Sequence, residues 1–228
     1  VDIENEHYTS VDGVLFNKDK TTLIKYPTGK GIEEYVIPQG ISTINRYAFE
    51  SCPKLEKIYI PDSVTNINAS SFSDCVLLDA FIVDEENTAY SSVDGVLFNK
   101  NQTTLVRYPE AKTDIEYTIP ETVTMIAESA FKDCTNLTAI NTHKNIEILS
   151  KSAFSGCTGL KTFTIPAGVS AILDYVFYGC TSLAYIQIPL NAQHIGQYSF
   201  EGCSSLKSVV LVSVMNIGSG AFEDCTSL

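Results

Sequence analysis

The chain has 228 residues, of which 44% are hydrophobic and 18% charged, and its formal net charge is −12. This composition is too apolar for a disordered chain, and the negative charge disfavours nucleic acids and anionic lipid surfaces as partners. No run of the sequence reaches the roughly 18 apolar residues of a membrane-spanning helix, so we expect no membrane insertion by this segment. Because the chain does not begin with Met and both of its ends fall inside repeated units, we expect a piece of a longer protein.

The chain opens with a module, residues 1–36, in which apolar runs alternate with polar turns. Asp12-Gly13 lies between two such runs and indicates a tight hairpin turn with a positive φ at the glycine. The same phrase returns 82 residues later in a second module, residues 83–118, with Asp94-Gly95 in the turn. We predict a small three-stranded meander in each module, retained in the surrounding stack as an enlarged coil.

Coils with a period of 23 residues fill residues 37–82 and 119–228. The coils end in Leu-x-x-Ile-x-Ile or a variant of it, such as Leu78-x-x-Phe81-x-Val83, and this alternation predicts a half-buried strand. The proline that usually follows cannot donate to a strand ladder, so it predicts a corner. The Ala-Phe-x-x-Cys segment has apolar residues at helix-like spacing, which predicts a short helical turn. Since one coil cannot bury its apolar side alone, we expect neighbouring coils to stack.

All seven cysteines occupy one position of the coil, three residues after a Phe. They are Cys52, Cys75, Cys134, Cys157, Cys180, Cys203 and Cys225. Thiols in register on stacked coils would point in parallel, which suits the disulfide dihedral of about 90° poorly, and an odd count prevents complete pairing. We interpret them as small buried hydrophobes. No Cys-x-x-Cys, His pair or Cys–His arrangement indicates zinc or a nucleophile.

Acidic stretches introduce both modules, at residues 2–5 and 84–87. They supply oxygen ligands that calcium could use, although the loop pattern with a central Gly and a closing Glu is missing. We interpret these stretches as turn formers and solvated charge, with calcium as the open alternative. We predict no metal site, no cofactor and no catalytic residues, and hence no enzyme.

The coil pattern Ile-Pro-x-x-Val-x-x-Ile-x-x-x-Ala-Phe-x-x-Cys-x-x-Leu-x-x-Ile-x-Ile-Pro, present from Ile37 to Pro61 and in the later units, resembles the BspA-type leucine-rich repeat. The module phrase from Val11 to Pro27 also resembles segments of that family. The resemblance implies one segment of an exported or surface-attached protein of host-associated microbes, and some relatives are implicated in adhesion to host matrix proteins or other cells. It carries no catalytic motif.

Together, the repeat and the resemblance predict an α/β-type repeat solenoid, leucine-rich-repeat-like, formed as a single domain over residues 1–228. Most of it should be short parallel strands with short helical turns, interrupted by two hairpin or meander inserts. Alternate residues of each Leu-x-x-Ile-x-Ile strand should face outward in two columns, where aromatic and aliphatic side chains suit partner contact. The predicted ligand-binding residues on this face are Lys57, Tyr59, Ile82, Asn141, Thr164, Tyr185 and Gln187.

The function that we expect is a non-enzymatic scaffold for binding or adhesion, extracellular or on the cell surface. Its ligand would be a protein or a glycan, such as a host matrix or cell-surface protein, and not a nucleic acid. The alternative is a passive structural spacer that projects another domain from the cell surface.

Overall fold

The computed structural model describes residues 1–68 and 70–228, which form two compact units. Unit 1 comprises residues 1–101 and 109–111, and unit 2 comprises residues 102–108 and 112–228. Within each unit, coil follows coil as a β-solenoid. The single domain over residues 1–228 stays a prediction.

Two short strands mark most coils, and they are numbered here in chain order. The strands are β1 (Tyr8–Val11), β2 (Val14–Asn17), β3 (Thr22–Lys25), β4 (Glu34–Val36), β5 (Thr43–Ile44), β6 (Lys57–Ile60), β7 (Asn66–Ile67), β8 (Ala80–Val83), β9 (Tyr90–Val93), β10 (Val96–Asn99), β11 (Thr104–Arg107), β12 (Glu116–Thr118), β13 (Met125–Ile126), β14 (Ala139–Asn141), β15 (Ile148–Leu149), β16 (Thr162–Phe163), β17 (Ala171–Ile172), β18 (Ile186–Gln187), β19 (His194–Ile195), β20 (Val209–Val210) and β21 (Asn216–Ile217). Among the described residues, the helical content is one 3₁₀ turn at Thr28–Lys30.

The strands of the Leu-x-x-Ile-x-Ile segments, called face strands here, pair in parallel with their counterparts one coil away. In unit 1 the order is β4-β6-β8, with Lys57 between Glu34 and Ala80. In unit 2 the face strands form two groups, β12-β14-β16 and β18-β20. Side chains that are one period apart in sequence therefore lie side by side on the sheet, which is how the repeat builds columns.

The N-terminal module confirms the predicted meander. β1 and β2 pair antiparallel around Asp12 and Gly13, whose φ angles of 49° and 82° are those of a hairpin turn that twists with its strands. β3 pairs antiparallel with β2 and parallel with β5, so the module joins the coils of unit 1 as an enlarged coil. In the second module β9 and β10 form the same hairpin around Asp94 and Gly95.

A column of aromatic rings runs through the interior of each unit. In unit 2 the rings of Phe131 and Phe154, and those of Phe154 and Phe177, have centroids 5.3 Å apart and lie nearly parallel. The Tyr108 ring begins this column by stacking on Phe131 at 5.2 Å. Such stacking adds to the burial of a large apolar surface, so each coil is stabilised mainly by its neighbours.

The cysteines confirm the predicted burial, since six of the seven are buried and Cys225 is half-buried. All seven are free thiols. Five thiols point along the stack, and each donates to the carbonyl of the Phe in the preceding coil; they are those of Cys75, Cys157, Cys180, Cys203 and Cys225. Cys75 Sγ lies 3.0 Å from the Phe49 oxygen, and Cys180 Sγ lies 3.2 Å from the Phe154 oxygen. The cysteine is therefore a weak hydrogen-bond donor as well as a small hydrophobe.

The predicted short helical turns are wrong, and the class is an all-β solenoid rather than an α/β-type one. Around Phe49, the residues two positions before and after it, Tyr47 and Ser51, have φ angles of 58° and 56°. These left-handed residues break a helical path into successive tight turns. The Phe49 N–H then donates to the carbonyl of Ser71 in the next coil at 2.8 Å. Backbone N–H groups that would donate to carbonyls of the same segment in a helix donate here to carbonyls of the neighbouring coil.

Candidate functional site: the outward face of the solenoid

The predicted ligand residues lie on the face strands. Along β6 the burial alternates as expected, with Ile58 and Ile60 buried and with Lys57 and Tyr59 half-buried. The other five predicted residues are exposed. Lys57, Tyr59 and Ile82 belong to unit 1, and the remaining four belong to unit 2, so the seven residues form two separate groups.

In unit 1 the predicted Lys57 and Tyr59 are bound to a residue that the prediction did not include, Glu34. Lys57 Nζ donates to one Glu34 carboxylate oxygen at 2.8 Å, and Tyr59 Oη donates to the other at 3.1 Å. The bond from Lys57, and then the bond from Tyr59, lowers the pKa of the Glu34 carboxyl, and the same Lys57 contact raises the pKa of the ammonium. Because the pair is solvent-exposed, its main effect is to orient the two side chains rather than to stabilise the fold.

A shallow apolar depression of about 270 Å³ lies beside this network. It is lined by Val36, Tyr59, Ile60, Pro61, Ile82 and Asp84. Val36 is 66% exposed and Ile82 is 36% exposed, although both are aliphatic. The structure thus brings the predicted Tyr59 and Ile82 together, at an apolar spot next to an ordered ion pair.

A larger groove, of about 550 Å³, opens on the face of unit 2. It is lined by Thr162, Phe163, Thr164, Ile165, Ala167, Tyr185, Gln187, Pro189, Leu190 and Asn191. Its volume falls within the range of about 300–1,000 Å³ that is typical of small-ligand sites. Three predicted residues, Thr164, Tyr185 and Gln187, are brought together here.

The groove lies where the regular pairing of the face strands is interrupted. β16 and β18 meet at an isolated bridge between Thr162 and Tyr185 instead of a longer ladder. The buried Phe163 and Ile165 supply apolar side chains to the lining, while Tyr185 is 48% exposed. Every lining residue is uncharged. Hydroxyl, amide and phenol groups beside apolar side chains suit an uncharged polar ligand, or an uncharged segment of a protein.

The predicted Asn141 lies in a neighbouring depression of about 230 Å³, which shares Thr162, Phe163 and Thr164 with the groove. Its side-chain nitrogen donates to Thr118 Oγ1 at 3.1 Å. This bond runs along the column of outward residues, so Asn141 is oriented by its neighbour on the preceding face strand. The depression continues the groove across β14 and β16.

Sequence reasoning missed two contributors to these surfaces. Glu34 stands 23 residues before Lys57, so the period alone could have placed it beside Lys57. The turn at 189–191 supplies Pro189, Leu190 and Asn191 to the groove. Pro189 follows Ile188 and predicts a corner here, but the sequence does not predict that this turn lines a groove, because the groove depends on where the strand ladder ends.

Among the described residues, the cysteine, histidine and acidic side chains assemble no metal site. Across residues 1–68 and 70–228, no group of three such side chains is placed to hold a metal ion. The acidic stretches instead form turns, in which Asp2 and Asp84 each accept a hydrogen bond from the N–H two residues later, at 2.8 and 2.9 Å. Over those same ranges, none of the helical structure has the length and apolarity needed to cross a membrane.

Two solved structures of similar proteins come from bacterial surface or antigen proteins. The pneumococcal vaccine antigen PcpA superposes with a TM-score of 0.71 at 27% identity, covering 86% of this chain and 55% of its own. A leucine rich cell surface protein from Faecalibacterium prausnitzii A2-165 gives a TM-score of 0.58 at 26% identity, covering 82% of this chain and 59% of its own. This chain therefore spans little more than half the length of either protein.

Fold similarity extends further. A leucine-rich repeat protein from Eubacterium ventriosum ATCC 27560 matches 96% of this chain and 93% of its own with a TM-score of 0.61, at 19% identity. A search of curated proteins finds no match. The family model of the BspA type leucine rich repeat region matches residues 26–117 and 108–228, in six copies. With the strand registers and the thiol position repeating at the same period, this chain belongs to the BspA-type leucine-rich repeat family.

Proposed function

We propose that this chain is a non-enzymatic scaffold, displayed outside the cell, that binds a protein or glycan ligand through the groove on the face of unit 2. The observation that carries the proposal is the groove itself, a space of about 550 Å³ lined by Tyr185, Gln187, Thr164 and other uncharged residues. These groups can donate and accept hydrogen bonds around a bound molecule. They include no acid, base or thiol with which to do chemistry on it.

The comparisons support the setting outside the cell. The family consists of repeat proteins, and similar structures are described as a vaccine antigen and as a cell surface protein. Repeat solenoids present long, regular surfaces that are generally used for binding. Because this chain spans 55% of PcpA and 59% of the Faecalibacterium protein, the partners of those whole proteins are not assigned to it.

The test is a binding screen of this chain against immobilised glycans and extracellular matrix proteins. For any ligand found, the double variant Tyr185→Ala/Gln187→Ala should weaken binding by about tenfold or more, because central aromatic contacts dominate such sites. Tyr59→Ala is the matched control, since it removes a tyrosine from a face strand in the other unit. Binding should be retained in this control.

Two results would contradict the proposal. Unchanged affinity in the double variant would place the ligand away from the groove. A screen without any bound ligand would favour the passive spacer, in which the coils only separate other parts of a longer protein.

A further inference from the structure

Three tyrosines cluster on the turns of unit 2, and none of them lines the groove. Tyr175 and Tyr198 occupy the same position in successive coils, two residues before the interior Phe, and their rings stack with centroids 5.3 Å apart. The Tyr178 ring lies 5.9 Å from Tyr175 and is tilted against it. Tyr175 is 39% exposed and Tyr178 is 40% exposed. We call Tyr175, Tyr178 and Tyr198 the tyrosine patch.

Tyrosine is an unusual choice for this position of the coil. Tyr175 and Tyr198 have φ angles of 61° and 55°, a left-handed conformation that bulky residues rarely adopt. Other coils of unit 2 place Ser129, Ser152 and Gly220 there, which are small. The fold therefore does not require an aromatic ring at this point, and the exposed rings add nothing to the buried column.

In another coil of the same chain, a tyrosine at this position makes a cation–π contact. Tyr47 in unit 1 is the residue equivalent to Tyr175 and Tyr198, two positions before its interior Phe. The guanidinium of Arg46 lies over its ring, 4.9 Å from the centroid. This distance is within the limit of about 6 Å for a cation–π contact, which arginine favours because its planar group stacks on the ring. The residues that precede Tyr175 and Tyr198 are Asp174 and Gln197, so neither supplies such a cation, and the ammonium of Lys151 in the preceding coil is paired with the Asp174 carboxylate at 2.7 Å.

Carboxylates border the tyrosine patch on the side of the last coils. Glu201 and Glu223 occupy the repeat position of Tyr178 in the two following coils. Gly220 leaves room for the Tyr198 ring, because a β-carbon there would collide with the ring and would lie 2.9 Å from a Glu223 carboxylate oxygen. Ring and carboxylate thus border the same space. Partial burial, followed by the negative charges of Glu223 and Asp224, raises the pKa of Glu201, and an arriving cation would relieve that repulsion.

We propose that the tyrosine patch is a docking surface for an arginine-bearing basic segment of a partner protein, with guanidinium groups on the rings and with Glu201 and Glu223 as counter-charges. The chain carries a net charge of −12, so a basic partner is attracted from a distance before it reaches the rings. The surface lies on the turns of the coils and shares no residue with the proposed ligand groove.

The experiment measures binding of a labelled peptide of alternating arginine and glycine to the 228-residue chain. Tyr175→Ser/Tyr198→Ser should weaken binding by about tenfold, since two cation–π contacts are lost without a change of charge. This variant should remain folded, because Ser already occupies the position in other coils. Glu201→Gln/Glu223→Gln should also weaken binding and reduce its sensitivity to salt.

Two controls separate the patch from general attraction to a negative chain. Tyr47→Ser removes the equivalent ring in unit 1 and should leave peptide affinity unchanged. A lysine–glycine peptide of equal charge should bind more weakly than the arginine peptide. Equal binding by the double tyrosine variant, equal binding of the two peptides, or preference of the patch for an uncharged glycan would each overturn the proposal.

Discussion

The two modules, residues 1–36 and 83–118, have closely similar sequences but different contacts. Asn87 in the second module is fully buried, and its side-chain nitrogen donates to the carbonyls of Pro61 and Val64 at 2.7 and 3.0 Å. Its counterpart, Asn5, is half-buried. Both asparagine oxygens accept the same two N–H groups of their own turn. One residue pattern thus serves a local turn in both modules, and in the second module it also joins neighbouring coils.

The modules also differ around the tyrosine that heads each aromatic column. Tyr108 Oη donates to Asp114 at 2.7 Å, whereas Tyr26 Oη is buried and has no hydrogen-bond partner among the described residues. Ile32 stands where Asp114 would be in the N-terminal module. A module can therefore keep its backbone while one substitution gives or removes the hydrogen-bond partner of a buried polar group.

The largest expected difference concerns the two asparagines. Asn87→Ala should lower the free energy of unfolding of unit 1 by about 3 kcal/mol, because it leaves buried carbonyls and turn N–H groups without partners. Asn5→Ala should cost about 1 kcal/mol, since water can replace its turn contacts. Urea denaturation of both variants measures the difference. Equal losses would show that Asn87 acts only within its own turn.

A smaller effect on the free energy of unfolding is expected from exchanging the residues beside the Tyr108 and Tyr26 hydroxyls. Asp114→Ile should cost about 2 kcal/mol by leaving the Tyr108 hydroxyl buried without an acceptor. The reciprocal change, Ile32→Asp, should supply an acceptor to Tyr26 and stabilise unit 1 by about 1 kcal/mol. Thermal unfolding of the two variants is the measurement. Destabilisation by Ile32→Asp would mean that the carboxylate does not reach the hydroxyl.

The last effect is absent at neutral pH and appears as a loss of stability in the alkaline range. Burial, and then the nearby Cys52 thiol, raises the pKa of Tyr26 to about 12, compared with about 10 in an unfolded chain. The stability that Tyr26 contributes is thus fully present below pH 10 and is lost as the pH rises from about 10 to 12. Tyr26→Phe should remove this part of the alkaline loss. Identical pH profiles for the two proteins would contradict the raised pKa.

Much of the fold could be predicted from the sequence, because the repeat period determines which residues of neighbouring strands pair with each other. A 23-residue period places Glu34 beside Lys57, and Asp12-Gly13 specifies its hairpin. The helical turns could not be excluded in this way, because apolar spacing around Phe49 does not reveal where its N–H is donated. That choice depends on left-handed residues such as Tyr47, which the spacing rule does not consider.

The candidate site was harder to predict, since it depends on a departure from the repeat. The outward positions of Tyr185 and Gln187 followed from strand alternation. The groove between them and Leu190 did not follow, because it forms where β16 and β18 stop pairing, and no residue pattern marks that point. The place of these residues in ligand binding stays a prediction.

Each coil contributes one cysteine, and the alkylation of these thiols can be used to detect local opening of the coils. Burial raises the pKa of Cys157 and Cys180 well above the ordinary value, so these thiols can be alkylated only after their coils separate. Cys225 is half-buried and should be alkylated first. Mass spectrometry of alkylated peptides over time would then resolve the order in which individual coils open, from cysteines already present in the natural sequence.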